Sequence, residues 1–330
     1  MGVKITSIGR YLPEKVLTND DLSKFIDTSD EWISSRTGIK ERRIASEEET
    51  TSHLAIKAAK KVLNKRRLDS KEIDLIIVST MMGDSPFPSV ACKVQEAIGA
   101  TNAGAFDISA ACSGFVYAIE TASQFVQTGY IKKCLVIGAE VFSKFLDWEE
   151  RSTCVLFGDG AGAILLEHSD ENTFYGGVLR ADGSGENLLH MVAGGTYKPA
   201  SIETVNNREH FLRMKGLELF QAVVPIICDV ALETCEKTGM ELNDIDLIIP
   251  HQANVHIIEQ VAMTLDIPFE RFFINIEKYG NTSAASIPIA LYDALRKGKI
   301  KPGYKIMMIG FGAGLTCAAN IIEWTDNCVY

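Results

Sequence analysis

A chain of 330 residues, 46% hydrophobic and 23% charged, has the composition of a globular protein and is long enough for one large domain or two ordinary ones. Its net charge of -10 argues against a broad nucleic-acid-binding face. No apolar run approaches the roughly 18 residues of a membrane span. Its eight cysteines contain no C-x-x-C pair and read as reduced cytosolic thiols, neither a disulfide framework nor a zinc site.

In chain order, "MGVKITSIG" alternates like a first strand and lacks the apolar core of a signal peptide. Two basic runs follow, "KERR" (40–43) and "NKRR" (64–67). The second closes an amphipathic helical stretch near Ser52–Leu63, where cations suit the helix dipole. "EIDLIIVST" (72–80) reads as a buried strand, and 89–98 as a helix. "GAFDIS" leads through "AACSGFVYAIETASQFVQTG" to another strand, "KKCLVIGAE". The glycine runs "FGDGAGA" (157–163) and "GFGAGLT" (310–316) lack the context of a phosphate loop and read as close backbone packing.

The second half repeats the first. "DIDLIIPHQ" (244–252) copies "EIDLIIVST" at an offset of 172 residues. A helical stretch precedes it at 217–238 and another follows at 255–265. "FFINIEKYGNTSAASIPIALYDALRKG" and "YKIMMIGFG" complete the copy. Each copy predicts a mostly parallel sheet with right-handed crossovers, the halves being 1–170 and 171–330. Gly129 and Gly298 match as helix ends at an offset of 169, which sets Asn281 opposite Cys112.

Cys112, His251 and Asn281 then fall at the carboxyl ends of strands, where such sheets bind ligands. A thiol at a helix N-terminus is expected to be acidified, and the neighbouring N–H groups can hold an oxyanion. Ala110, Ala111, Ser113 and Gly114 leave room for a carbonyl to approach. The bland readings are an inert core thiol, a satisfied core histidine and a helix-capping asparagine. Ala313, in the second glycine run, is a further candidate N–H donor.

The motifs "EWISSRTGIKERR", "DISAACSGF", "RSTCVLFGDGAGA", "PHQAN" and "YGNTSAAS" together resemble the β-ketoacyl-acyl-carrier-protein synthase III family, in its order and over nearly the whole chain. The resemblance implies an α/β fold, the thiolase-like five-layered α-β-α-β-α sandwich of two duplicated halves. It implies a Cys112–His251–Asn281 triad that starts fatty-acid synthesis. An acyl-CoA primer acylates Cys112, and malonyl-acyl-carrier protein then condenses with it, losing CO2. The oxyanion donors would be the N–H groups of Cys112 and Ala313. No metal or redox cofactor is implied. Elongating synthases show two histidines and thiolases a second cysteine, whereas "GNTSAAS" follows the synthase III pattern.

By the same resemblance Trp32 and Arg151 bracket the CoA adenine, and Arg36 meets the nucleotide or its phosphates. Thr28, Gly216, Phe220 and Asn254 line the pantetheine tunnel. Phe87 reaches into the partner's acyl pocket in a homodimer. Gln252, Ala253, Asn254, Val255 and His256 form the docking site for the carrier protein. Two residues depart from the family pattern: His256 stands where arginine is usual, and Gln221 where lysine is frequent. Both remove positive charge near the entrance, for which Arg213, Lys215 and Lys278 could compensate. They leave open a relative that acylates another acceptor, such as an alcohol or amine; a third reading, a non-catalytic binding or heterodimer partner, is opposed by the intact triad. No nucleic acid or membrane is expected as partner, and the expected compartment is the cytoplasm.

Overall fold

The computed structural model describes residues 2–326 and 328–330; Met1, at the head of the expected first strand, lies outside the described residues. In chain order the first half contains β1 (Gly2–Tyr11), β2 (Lys15–Thr18), α1 (Asn19–Leu22), α2 (Asp30–Thr37), β3 (Glu41–Ile44), α3 (Thr51–Arg66), β4 (Leu75–Ser79), α4 (Val90–Ile98), β5 (Gly104–Ile108), α5 (Gly114–Gln127), β6 (Lys133–Glu140), α6 (Arg151–Cys154) and β7 (Gly160–Ser169). The second half contains β8 (Phe174–Ala181), β9 (Leu189–His190), α7 (Ile202–Asn206), β10 (Arg213–Met214), α8 (Gly216–Thr238), β11 (Leu247–Pro250), α9 (Val255–Thr264), α10 (Ile276–Tyr279), α11 (Ser286–Arg296), β12 (Lys305–Gly312) and β13 (Thr316–Glu323).

Two sheets carry the repeat, ordered β1-β7-β6-β4-β5 and β8-β13-β12-β11. The order is the same in both, except that the counterpart of β5 shrinks to a single bridge, Ile248 to Phe272. The repeated aspartate of the twin motifs explains part of the register. Asp74 accepts the N–H of Lys133 (2.9 Å), and Asp246 accepts that of Lys305 (2.8 Å), fixing the start of the neighbouring strand in each half.

The sheets are more mixed than expected. β5, β4 and β6 run parallel, as do β11 and β12, but β7 opposes β6 and β1, and β13 opposes β12 and β8. The reason is plain for β12 and β13: residues 313–315 are too short a link for a parallel crossover.

The layers follow from which faces are apolar. α5 and α11 lie between the sheets, in one core with the inward residues of both, among them Val136, Phe115, Ile287, Leu291 and Met308. α3 and α4 cover the outer face of the first sheet, and α8 and α9 that of the second. The result is five layers, α-β-α-β-α. A cap carrying α2 and α6 closes one end. Arg42, from the basic run "KERR", is an internal tie for this cap and no part of a charged patch. It is fully buried and donates to Leu17 O, Asn19 Oδ1 and Val155 O.

The repeat corrects one assignment. The tight turns before α5 and α11 are Ala111–Ser113 and Ser283–Ala285. Each opens on a non-glycine residue in the left-handed region, Ala111 (φ 49°) and Ser283 (φ 50°), a strain of order 1–3 kcal/mol apiece. The offset here is 172, so the counterpart of Cys112 is Ala284, not Asn281. The offset of 169 arises because α11 (11 residues) is shorter than α5 (14 residues). It holds where the helices end and not where they begin.

Candidate active site

Cys112 sits in the turn between β5 and α5, 2% exposed. Ser113 Oγ and Thr316 Oγ1 lie 2.9 Å apart, and 2.7 and 3.0 Å from the Ala110 carbonyl, tying this turn to the one between β12 and β13. Gly312 backs the cysteine so closely that a Cβ there would lie 2.6 Å from the Cys112 nitrogen. Ala313 follows Gly312 but does not itself line the cavity.

The resting thiol differs from expectation. Burial pushes it up to about 12, and the nearby Glu140 carboxyl adds in the same direction. Loss of hydration outweighs the helix dipole at this depth. The site therefore holds a protonated thiol until something removes its proton.

Three side chains meet at one cavity of about 310 Å³, namely Cys112, His251 and Asn281. His251 follows β11, anchored by its N–H to Ile309 O (2.8 Å), and is 1% exposed. Its Nδ1 lies 2.6 Å from Ser286 Oγ. That oxygen also faces the Gln252 N–H, at 3.4 Å, and can donate its own proton to Nδ1. This favours the tautomer with hydrogen on Nε2, the nitrogen left for the cavity. Burial lowers the ring to about 3, so it is neutral across the physiological range. Asn281 is pinned by its N–H to Leu156 O and its carbonyl to Gly158 N–H. Its Oδ1 accepts the Ser283 N–H at 2.8 Å, leaving the Nδ2 donors for the cavity. A nucleophilic sulfur facing two uncharged donors can form a thioester and can stabilise an enolate.

Trp32, Arg36, Arg151, Gly216, Phe220 and Asn254 line the same cavity, whereas Thr28 lies outside the lining, its Oγ1 buried with no hydrogen bond among the described residues. The slot expected between Trp32 and Arg151 is closed. The Arg151 guanidinium lies 4.4 Å and that of Arg36 4.6 Å from the indole centroid, so a ring can enter between Trp32 and Arg151 only by parting them. Phe87 is 84% exposed.

The expected docking run splits. Gln252 is buried: its Nε2 donates to Pro250 O and Phe273 O, and its Oε1 accepts the Asn275 N–H. It is scaffold and cannot be docking surface. Ala253 lines the cavity, and Val255 packs toward Gly38 at the end of α2. Asn254 caps α9 and donates to Arg36 O (3.0 Å). His256 faces two acceptors, Ser35 O and Glu259 Oε2, both at 2.8 Å. Only the imidazolium can donate to both, and these bonds raise the His256 pKa, the Ser35 carbonyl first. The charge expected to be missing at this position is therefore kept in part. Of the compensating cations, Arg213 is drawn to Asp147 and Glu150, while Lys215 beside the cavity-lining Gly216 is exposed.

Sequence reasoning missed Ser286, which orients His251 from 35 residues away, and Gly312, which sets the wall behind Cys112. Both stand inside quoted motifs, but neither carries chemistry that a one-dimensional reading would single out.

Two family models match the chain: 3-oxoacyl-[acyl-carrier-protein (ACP)] synthase III over residues 106–183, and its C-terminal model over residues 235–324. A beta-ketoacyl-[acyl-carrier-protein] synthase III of Caldanaerobacter subterraneus subsp. tengcongensis is 50% identical over 322 residues, 97% of this chain and 97% of the relative. One from Clostridium acetobutylicum is 50% identical over 323 residues, 98% and 99% of the two chains. The crystal structure of 3-oxoacyl-[acyl-carrier-protein] synthase III from Aquifex aeolicus VF5 superposes with a TM-score of 0.90 at 49% identity, covering 98% of this chain and 100% of that one.

Proposed function

The chain belongs to the β-ketoacyl-acyl-carrier-protein synthase III family of condensing acyltransferases, and from that premise we propose that it initiates fatty-acid synthesis through Cys112, His251 and Asn281. Cys112 attacks the thioester of an acyl-CoA primer and takes over the acyl group. The N–H of Cys112 holds the oxyanion of the tetrahedral intermediate, with the N–H of Ala313, one residue beyond the lining Gly312, as its second donor. Malonyl-acyl-carrier protein then loses CO2. Nε2–H of His251 and Nδ2 of Asn281 donate to the enolate oxygen, and the carbanion attacks the acyl-Cys112 carbonyl. A buried, neutral imidazole suits this step, since it can donate without first being protonated. The reaction calls on no metal or redox cofactor, because thiol, amide and imidazole supply each bond change.

In this reading Trp32, Arg36 and Arg151 receive the nucleotide of CoA, and Gly216, Phe220 and Asn254 flank the pantetheine arm. The carrier protein approaches the exposed surface around His256 and Lys215. The enzyme acts in the cytoplasm as a homodimer, with the exposed Phe87 meeting the partner. One observation carries the proposal: a buried sulfur and two uncharged donors share a single cavity. To test it, the enzyme is incubated with labelled acetyl-CoA and then with malonyl-acyl-carrier protein. Label is expected on Cys112, followed by CO2 release. His251→Ala and Asn281→Ala should keep the label and lose decarboxylation by about 10²–10³-fold. Labelling of wild type with no CO2 release would overturn the condensation step.

A further inference from the structure

Glu140 is the last residue of β6 and is fully buried. The proposed chemistry gives it no role. Three donors converge on it: Thr80 Oγ1 to Oε2 (3.1 Å), Met81 N–H to Oε1 (2.9 Å) and Met82 N–H to Oε2 (3.2 Å). All three favour the carboxylate, while burial favours the acid. It shares the inward face of β6 with Gly138, where a Cβ would lie 2.3 Å from the Ala284 carbonyl oxygen. The strained turn 283–285 therefore packs directly on this strand. Ser283 Oγ is buried with no well-formed hydrogen bond among the described residues. Its turn packs against both the Cys112 turn and β6, and the Ser283 hydroxyl favours the charged form of both the Cys112 thiol and the Glu140 carboxyl. An unspent hydroxyl between a protonated thiol and a buried carboxylate is placed to donate to one and accept from the other.

We propose that Ser283 and Glu140 form a proton relay for Cys112, taking the thiol proton during acylation and returning it during condensation. This rests on the reading of Cys112 as the acylated nucleophile. As the sulfur–carbon bond forms, the S–H bond breaks and its proton passes to Ser283 Oγ. The Ser283 proton passes to Glu140, and CoA leaves as its thiolate, to be protonated by water. In condensation the carbanion expels Cys112 as a thiolate. It recovers a proton through Ser283 from the protonated Glu140, and the site returns to its starting state. The relay moves one negative charge between two buried positions, so no second charge is ever buried.

The titration properties agree. Burial pushes Glu140 up to about 7, which makes it a far better proton acceptor than His251 at about 3. Glu140 takes its bonds from Thr80, Met81 and Met82 after β4 and pairs with Gly160 of β7, with Ser283 and Cys112 acting on it from the other half and from the Cys112 turn. Among these named groups Cys112 is the one that titrates. Asp159, next to Gly160, is turned away, accepting from Ala45 N–H and from Ser143 N–H and Oγ.

The test measures two rates between pH 5 and 9: Cys112 acylation by acetyl-CoA, and Cys112 alkylation by iodoacetamide. Both should rise through a midpoint near 7 in the wild type, where Glu140 becomes an acceptor. Ser283→Ala should slow acylation by about 100-fold and erase that midpoint with an unchanged melting temperature. Glu140→Gln, the second variant should the first not fold, should erase it also. A wild-type alkylation profile in either folded variant overturns the relay. If acetyl-CoA fails to label Cys112 while the alkylation midpoint is present and lost in the variants, the relay stands and the reading of the reaction falls.

Discussion

Replacing Gly312 with alanine probes the wall behind the nucleophile by steric means alone. The new Cβ would stand 2.6 Å from the Cys112 nitrogen, 2.9 Å from the Ala111 Cβ and 3.2 Å from the Cys112 Cβ. Ordinary contacts begin near 3.4 Å, so the gap must open by up to about 0.8 Å. All three atoms belong to Ala111 and Cys112, in or next to the backbone, and Ala111 is already held at φ 49°; no flexible side chain can swing aside. Overpacking of this kind costs about 1–3 kcal/mol, which for a chain of this length lowers the melting temperature by about 1–4 °C. The effect on chemistry is larger, because a displacement approaching 1 Å at a reacting atom costs on the order of 10²-fold in rate. Single-turnover acylation of Cys112, read by mass spectrometry beside a thermal melt, measures both. Wild-type acylation with an unchanged melt would refute the argument that Gly312 is there to let the two halves close on the sulfur.

Two further outcomes are expected. Phe87→Asp should leave the stability of the single chain almost unchanged, since that ring is 84% exposed within it. It should shift the sedimentation equilibrium toward monomer, and an unaltered dimer would remove Phe87 from the interface. The pH dependence of stability should show two groups cancelling. Between about 3 and 6.5 the unfolded chain protonates His251 and the native one does not, so stability rises with pH there. Between 4.5 and about 7 native Glu140 keeps a proton that the unfolded chain has lost, so stability falls as pH rises. Their opposed slopes, each at most about 1.4 kcal/mol per pH unit, offset from 4.5 to 6.5. In Glu140→Gln the urea midpoint should therefore begin to drop below pH 6.5, and in the wild type only below 4.5; parallel curves would contradict this.

Much of the fold was legible because each half needs the same alternation of buried strands and amphipathic helices, so duplication shows as repeated apolar runs. Strand direction was not, since a short apolar run looks alike pointing either way; the sheets were expected to be mostly parallel, and β7 and β13, which oppose their neighbours, were not read as strands. The partner of Cys112 was misplaced because a shorter helix moved the offset by three residues. Gln252 was read as surface because its motif flanks the entrance, but its amide completes three backbone bonds inside. The thiol was expected to be acidic because a helix N-terminus can be read in sequence. The burial that overrides it comes from β12 and the Ser283 turn, brought there by the fold.

The inner layer has a consequence for how the molecule opens. α5 and α11 are covered on both sides by sheets, and in α11 Ile287, Ala290, Leu291 and Ala294 are all fully enclosed. Their amides have no route to solvent short of parting both sheets, so they should exchange hydrogen only through global unfolding. Since Cys112 and Ser283 sit at the heads of these helices, the reacting centre belongs to the slowest-exchanging part of the chain. Whatever admits a long substrate must then open in the cap, where Arg151 rests on Trp32, and the traffic of substrates is separated from the atoms that must stay still.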